Sequence, residues 1–131
     1  MRNFTIITLI LVVPLLAYMI LTRGDVSSAS KTVDANKPQI IKFTSLMCLD
    51  CKKLDKVMKE IYPKYSEKII LIEVPVQTES AFTKKQIEKY NVTLVPTLIF
   101  IDAKGKKIRR TEGYVEPNTL EIYINELTGK K

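Results

Sequence analysis

The two cysteines of this chain, Cys48 and Cys51, are separated by two residues. A short apolar run that begins at Ile40 comes before them, and an amphipathic helical pattern follows, so the pair is predicted to lie where a strand gives way to a helix. Two thiols in this position are a known arrangement for disulfide chemistry, in which a thiolate is the reacting species. The sequence therefore predicts that the rest of the chain holds and covers this pair.

The 131-residue chain carries a formal net charge of +7 and contains no histidine. This excludes His-based catalysis and mixed Cys/His zinc sites, and two cysteines alone cannot complete a structural zinc site, so no metal or other cofactor is expected. The positive charge is spread along the chain without a recognisable nucleic-acid-binding motif. A lysine-rich, solvated surface is therefore expected, and not a nucleic acid partner.

Residues 4–21 contain no charged side chain and are bordered by Arg2 and Arg23. Their length matches the roughly 20 residues that cross a bilayer as a helix, which predicts a single transmembrane anchor. The alternative is a cleaved secretory signal, with Ser27 and Ala29 at the cleavage site. Both interpretations export the domain that follows. It is expected on the extracytoplasmic side of the cell membrane if anchored, and secreted if the signal is cleaved.

Three segments are predicted: a membrane anchor or signal at residues 1–22, a tether at residues 23–36 and one domain at residues 37–131. The tether is rich in Ser, Ala, Lys and Asp and shows no apolar periodicity, which is typical of a flexible linker. Such a tether would let the domain move near the membrane surface.

The domain is predicted to have the element order β-α-β-α-β-β-α, which indicates an α/β fold with a parallel first strand pair and a final hairpin. Thr83 and Gln86 predict a capping box at the start of the second helix, and Asn91 predicts its left-handed end. The predicted elements are a strand at Gln39–Thr44, a helix at Leu49–Tyr62, a central strand at Ile69–Ile72, a helix ending at Tyr90, strands at Thr97–Asp102 and Lys106–Thr111, and a helix from about Pro117.

This order, with a Cys-x-x-Cys at the start of the first helix, resembles the thioredoxin family over about residues 37–127. Three features carry the resemblance: Cys48-Leu49-Asp50-Cys51, Val95-Pro96-Thr97 ahead of the hairpin, and Gly113 after it. The resemblance implies a thioredoxin-like fold. Its central mixed sheet of about four strands is flanked by helices on both faces, here with an N-terminal transmembrane helix added.

The resemblance also implies roles for four residues. Cys48 is expected to be the nucleophile, because the amides and dipole of a helix amino terminus favour its thiolate. Cys51, one turn further in, is expected to resolve the mixed disulfide. Pro96 is expected to be cis, and Val95 to offer backbone hydrogen bonds to an extended protein substrate. The implied activity is thiol-disulfide exchange with disulfides of protein substrates.

The sequence departs from the family pattern at several positions. Met47 stands in place of the usual Trp, and Leu49-Asp50 in place of Gly-Pro. Asp50 should oppose thiolate formation at Cys48, whereas the lysines that follow should favour it. The family's buried aspartate and its lysine neighbour correspond to Lys42 and Glu73, so the two charges look exchanged. We hypothesise that they pair beneath Cys51 and move its proton; alternatively, both charges reach solvent at the strand ends.

Other functions remain open from the sequence. A static disulfide is disfavoured, because a loop this small gains little stability from a crosslink. A copper(I) carrier using the cysteine pair and a thioredoxin-like adaptor that binds without turnover are the alternatives to an oxidoreductase. Within the oxidoreductase class, family analogy favours a monomeric reductase fed by a membrane electron donor.

Overall fold

The computed structural model describes residues 2–21 and 36–130, which fall into two compact units. The first contains one helix, α1, at Arg2–Leu21, which includes the predicted membrane span. Within residues 2–21 and 36–130, none of the helices combines the length and the apolar character that a membrane span requires. Nearly all of the predicted tether lies outside the described residues.

The second unit contains a four-stranded mixed sheet, as predicted. Its strand order is β2-β1-β3-β4, with β1 parallel to β2 and antiparallel to β3, and with β3 and β4 forming an antiparallel hairpin. The strands are β1 at Gln39–Thr44, β2 at Ile70–Pro75, β3 at Thr97–Ile101 and β4 at Lys107–Glu112. The cysteine motif begins four residues after the last residue of β1, so it lies beyond the carboxyl end of that strand.

The prediction that Ile69–Ile72 forms a central strand is wrong. β2 lies at an edge of the sheet and pairs with β1 alone among the described strands. Its continuous apolar run has a different cause. Ile69 and Val74 are buried, and the residues between Ile69 and Glu73 are partly covered, because helices pack against both faces of this strand. Burial of the faces, and not a central position, selects the apolar residues.

Helices cover both faces of the sheet, as predicted. Side chains of β1 alternate between the faces, since Ile40 contributes to the core under α2 and α4, whereas Ile41 and Phe43 contribute to the core under α3. The helices are α2 at Leu49–Ile61, α3 at Ala81–Tyr90 and α4 at Pro117–Leu127, and a 3-10 turn at Tyr62–Lys64 follows α2. The inner side of α2 therefore packs against the face of the sheet that carries Ile40.

The predicted capping box at the start of α3 is wrong by one turn. Ser80 is the N-cap, and its hydroxyl oxygen accepts a hydrogen bond from the Thr83 amide at 3.0 Å. Thr83 is buried and lies inside the helix. Both residues have a hydroxyl that can cap a helix, but α3 begins at Ala81, so Ser80 occupies the cap position and Thr83 lies in the first turn. The predicted left-handed end at Asn91 is confirmed by its φ of 47°.

Candidate active site

Cys48 is the N-cap residue of α2. Its backbone is extended, with φ −93° and ψ 118°, and its sulfur accepts a hydrogen bond from the Cys51 amide at 3.1 Å. Amides in the first turn of a helix have no partner within the helix, so a sulfur at the N-cap satisfies one of them. The same contact places positive electrostatic potential on the Cys48 sulfur, which favours the thiolate over the thiol.

The two cysteines form a disulfide, with their Cα atoms 5.2 Å apart. This distance lies within the usual range for disulfides. Cys48 is half-buried, whereas Cys51 is 1% exposed. An external thiol or disulfide can therefore reach Cys48 directly, and Cys51 is shielded on the inner side of α2. This asymmetry assigns different positions to two residues of the same chemical type.

The segment before β3 lies beside the cysteine pair. The Val95–Pro96 peptide is cis, and the Val95 carbonyl oxygen is 3.6 Å from the Cys48 sulfur. The Gly113 amide donates to the Pro96 carbonyl at 2.8 Å, which ties this segment to the end of β4. Gly113 has a φ of 85°, a backbone conformation that favours glycine. The three sequence features of the resemblance thus meet at one end of the sheet.

Exposed apolar side chains flank the disulfide. Met47 is 93% exposed, although it occupies the position directly before Cys48. We call the following five exposed residues the apolar rim: Leu46, Met47, Leu49, Leu94 and Tyr114. Three of them border the cysteines in the chain, and the other two lie next to Val95 and Gly113. Exposed apolar patches commonly mark interaction sites, so the rim is suited to contact a protein partner.

Asp50 forms an exposed ion pair with Lys53, whose Nζ is 3.2 Å from the Asp50 carboxylate. From the sequence, Asp50 and the lysines that follow it were expected to have opposite effects on thiolate formation at Cys48. The structure joins Asp50 to one of these lysines directly. The negative charge near Cys48 is therefore partly neutralised within the first turn of α2.

Lys42 lies in the interior of the protein, with only 4% of its side chain exposed. In the parallel register of β1 and β2 it is opposite Glu73, and its Nζ is 2.5 Å from the Glu73 carboxylate. The structure therefore brings these two predicted site residues together. The alternative, in which both charges reach solvent at strand ends, does not apply to Lys42, because it lies within β1 and is buried.

A third residue of this group, Asp55, was not predicted from the sequence. Its Oδ1 is also 2.5 Å from the Lys42 Nζ, so Lys42 is shared between two carboxylates. We call Lys42, Asp55 and Glu73 the carboxylate cluster. The sequence contains one indication that Asp55 faces the interior. It lies four residues after Cys51, on the inner edge of a helix whose outer side carries lysines. Among the described residues, no hydrogen bond or ion pair joins the cluster to either sulfur.

The electrostatics of Lys42 follow from these contacts. Burial lowers the pKa of its ammonium group, but the hydrogen bonds that the ammonium donates to Asp55 and Glu73, together with their negative charges, raise it by more. The net pKa lies above the usual 10.5, so Lys42 is charged at neutral pH. A buried cation with two anionic partners leaves the cluster with a net charge of −1.

Two cavities border the carboxylate cluster, with volumes of about 270 and 420 Å³. Both are lined by all three cluster residues. The smaller one extends to Thr44, Ser45 and Leu46, which lead into the cysteine motif, and the larger one extends to Tyr62 and Pro63 after α2. Each is large enough to hold several water molecules and is lined by charged groups that would bind them. Water can therefore reach the cluster.

Among residues 2–21 and 36–130, no group of three or more His, Cys, Asp or Glu side chains is placed to hold a metal ion.

Residues 27–128 match the protein family described as the thioredoxin-like domain. The chain belongs to the thioredoxin-like family. Its fold, its Cys-x-x-Cys disulfide and the segment ahead of β3 agree with this assignment.

Two relatives of this thioredoxin-like chain are named for thiol-disulfide chemistry. It is 30% identical to the thiol-disulfide oxidoreductase ResA of Bacillus thuringiensis over 112 residues, which cover 70% of this chain and 64% of ResA. It is 26% identical to the thiol:disulfide interchange protein DsbD of Actinobacillus pleuropneumoniae, with 73% of this chain and 17% of DsbD covered. The chain thus spans less than two thirds of either relative.

The fold of this thioredoxin-like chain is also found among solved structures. A malaria parasite thioredoxin-2 superposes with a TM-score of 0.62 at 22% identity, covering 70% of this chain and 84% of the other. A thioredoxin of Malassezia sympodialis superposes with a TM-score of 0.59 at 22% identity, covering 71% and 76%. At this identity the likeness concerns the fold.

Proposed function

We propose that the protein is a thiol-disulfide oxidoreductase that exchanges its Cys48–Cys51 dithiol with disulfides of protein substrates. One observation carries the proposal: the half-buried sulfur of the pair lies at a helix N-cap, and the other sulfur is fully buried one turn further in. A crosslink with only a structural role would gain nothing from this asymmetry. The family assignment and the redox names of both relatives agree with it.

The reaction begins with the reduced protein. The Cys48 thiolate attacks one sulfur of the substrate disulfide, forms a mixed disulfide and releases the other substrate sulfur as a thiolate. The Cys51 thiol then loses its proton, and its sulfur attacks Cys48. The bond to the substrate breaks, its electron pair leaves with the second substrate sulfur, and the Cys48–Cys51 disulfide forms. Two electrons have passed from the protein to the substrate.

Substrate binding is assigned to the Val95–Pro96 segment and the apolar rim. The backbone of Val95 lies beside the Cys48 sulfur, where it can form strand-like hydrogen bonds with an extended substrate segment. The rim provides apolar contacts for the side chains that flank the substrate cysteine. Together they favour a partly unfolded or loop-borne disulfide in a protein.

Proton transfer at Cys51 is assigned to the pair formed by Lys42 and Glu73. Their contact supports the role, because it holds a carboxylate on the face of the sheet that packs against α2. The pH-rate profile of a Glu73→Gln variant tests this role.

The direction of electron flow is proposed to be reduction of exported clients, with electrons supplied by a membrane donor. The small domain without an inserted subdomain supports this proposal by family analogy only. A monomer is proposed for the same reason. The reduction potential of the Cys48–Cys51 couple is the test: a value near that of thioredoxin, about −270 mV, supports a reductase, and a value near −120 mV contradicts it.

An extracytoplasmic location with a membrane tether is proposed from the uncharged sequence at residues 4–21 alone. The helix α1 does not by itself meet the requirement for a span. Fractionation of cells that express the full chain tests the proposal. Retention in membranes after an alkaline carbonate wash supports the anchor, whereas release of the full-length chain contradicts it.

Activity is tested by thiol-driven reduction of insulin. The wild-type protein should accelerate precipitation of the reduced insulin chains, and Cys48→Ser should abolish the acceleration because it removes the attacking sulfur. Acceleration that persists in Cys48→Ser would contradict the proposed function and favour a non-catalytic adaptor.

A further inference from the structure

The loop that carries Val95 connects the end of α3 to the start of β3, and we call its residues 91–96 the binding loop. Its far end is fixed at Pro96, whose carbonyl oxygen accepts a hydrogen bond from the Gly113 amide at 2.8 Å. Gly113 directly follows β4. A loop that is fixed at one end can still move at the other, so the position of the Val95 backbone beside Cys48 also depends on how the loop begins.

The side chain of Arg110, on β4, contacts the start of the binding loop. Its guanidinium donates to the Tyr90 carbonyl at 2.5 Å and to the Asn91 carbonyl at 3.2 Å. The last carbonyls of a helix have no partner within the helix, and these two lie at the end of α3. The guanidinium also donates to the Glu112 carboxylate at 2.5 and 2.9 Å, which orients it. The strand β4 and the glycine after it therefore hold both ends of the binding loop.

We propose that Arg110 is a positioning residue for substrate binding, which fixes the binding loop so that the Val95 backbone can pair with an extended substrate segment. The inference rests on the proposed function and adds a residue to it. A segment that is already held in its binding conformation loses less conformational entropy when the substrate binds, so it binds more tightly. Among the described residues, no hydrogen bond joins Arg110 to Cys48 or Cys51. Arg110 therefore acts on substrate binding and not on the sulfur chemistry.

The contacts of Arg110 require a guanidinium. This planar group presents several N–H donors at once, so it reaches two carbonyl oxygens and a carboxylate together. The ammonium of a lysine is a point charge on a flexible chain and cannot reproduce this geometry. Arg110→Lys therefore keeps the charge of the strand and removes the connection to the binding loop.

The test compares a protein disulfide with a small one. In the reduction of insulin, measured over a range of insulin concentrations, Arg110→Lys should raise KM about fivefold to tenfold and change kcat by less than about twofold. The reduced variant should react with dithiobis(nitrobenzoate) at the wild-type rate, because this reagent has no peptide backbone to pair with Val95. An effect on stability alone would not produce this difference between KM and kcat.

Arg109→Lys is the matched control on the same strand. Arg109 and Arg110 are neighbours on β4, so their side chains face opposite sides of the sheet. The Arg109 guanidinium pairs with Glu126 at 2.7 Å and lies 4.1 Å from the centre of the Tyr123 ring, both on α4. The control therefore makes the same chemical change and loses an ion pair without altering the binding loop. Its KM for insulin should equal that of the wild type.

Glu112→Gln tests the same contact with a smaller change. It keeps Arg110 but removes the carboxylate that orients the guanidinium, and it should raise KM for insulin about twofold to threefold. If Arg110→Lys does not fold, Glu112→Gln alone decides, and a wild-type KM in this variant then overturns the inference.

Three other results would overturn the inference: a wild-type KM for insulin in folded Arg110→Lys, an equal rise in Arg109→Lys, or an equal slowing of Arg110→Lys with dithiobis(nitrobenzoate). If the wild-type protein did not reduce insulin, the proposed function itself would fail, since this outcome does not depend on Arg110.

Discussion

Lys42 and Asp55 form an ion pair that connects β1 to the helix carrying both cysteines. The Lys42 ammonium lies 2.5 Å from the Asp55 carboxylate, and Glu73 on β2 contacts the same ammonium. Three elements of the domain, β1, β2 and α2, therefore meet at one buried cation. This contact therefore fixes the start of α2, which carries both cysteines, against the strands β1 and β2.

Removal of the Lys42 charge should destabilise the domain. In Lys42→Met, two carboxylates lose their partner while the methionine retains most of the apolar contact. The free energy of unfolding should fall by about 1–3 kcal/mol at pH 7, because the carboxylates are partly exposed and can bind water in exchange. Urea unfolding followed by circular dichroism measures it. Lys84→Met, at an exposed site on α3, should change the free energy little.

The stabilisation by Lys42 should also depend on pH. Its pKa in the folded protein lies above the usual 10.5, because its hydrogen bonds to Asp55 and Glu73 outweigh the opposite effect of burial. The contribution is therefore fully present below pH 10.5 and is lost as the pH rises through the folded pKa. The difference in unfolding free energy between wild type and Lys42→Met should shrink as the pH rises beyond 10.5 and through the folded pKa. A difference that grew with pH would contradict the assignment.

Replacement of Glu73 should change how the exchange rate responds to pH. Glu73→Gln keeps the shape of the side chain but removes its ability to accept a proton, so the rate below neutral pH should fall several-fold, about three to ten. Stopped-flow exchange with a disulfide reagent between about pH 5 and 9 measures the profile. Glu67→Gln, exposed and remote from the cluster, serves as the control. An unchanged profile in Glu73→Gln would remove Glu73 from the proton-transfer role.

The apolar rim should distinguish protein substrates from small ones. Met47→Ser removes a side chain that is 93% exposed and available to a client. Loss of about 1 kcal/mol of apolar contact should raise KM for a protein disulfide roughly fivefold and raise KM for oxidised glutathione less. Ile122→Ser, which changes an exposed apolar residue on α4, is the matched control. Equal effects of Met47→Ser on both substrates would show that the rim does not bind the client.

The N-cap of α3 gives a test of the fold independent of the redox chemistry. Ser80→Ala removes the acceptor of the Thr83 amide and should lower the free energy of unfolding by about 1 kcal/mol. Thr93→Ala, in an exposed loop, should have a smaller effect. Urea midpoints of both variants measure the difference. A larger loss in Thr93→Ala would contradict the assignment of Ser80 as the cap.

Local patterns in the sequence predicted most of the fold. The positions of β1, α2 and α4 follow from the spacing of their apolar residues, because these are the residues that are buried. The start of α4 is also marked by its proline. The edge position of β2 was not predictable, because strand order depends on contacts between segments that are distant in sequence. The cap of α3 was misplaced because Ser80 and Thr83 both have a hydroxyl suited to an N-cap, and residue type alone does not say at which of them the helix begins.

The site was predictable in part for the same reason. Cys48, Cys51 and Pro96 belong to motifs that can be recognised from residue type and spacing alone. Lys42 and Glu73 were found by comparison of positions with a family pattern. Asp55 belongs to no motif, and its place in the cluster arises because α2 packs so that its carboxylate contacts the ammonium of Lys42. Only the packed structure shows that contact.

The central claim is that Cys48 attacks and Cys51 resolves, and it is tested most directly by trapping the intermediate. Reduced Cys51→Ser should accumulate a mixed disulfide between Cys48 and a protein substrate, because the sulfur that would release it is absent. Non-reducing electrophoresis and mass spectrometry of the linked peptides measure it. Reduced Cys48→Ser should accumulate none, since Cys51 is buried. Adducts on Cys51 in the Cys48→Ser variant, or none on Cys48 in the Cys51→Ser variant, would contradict the account.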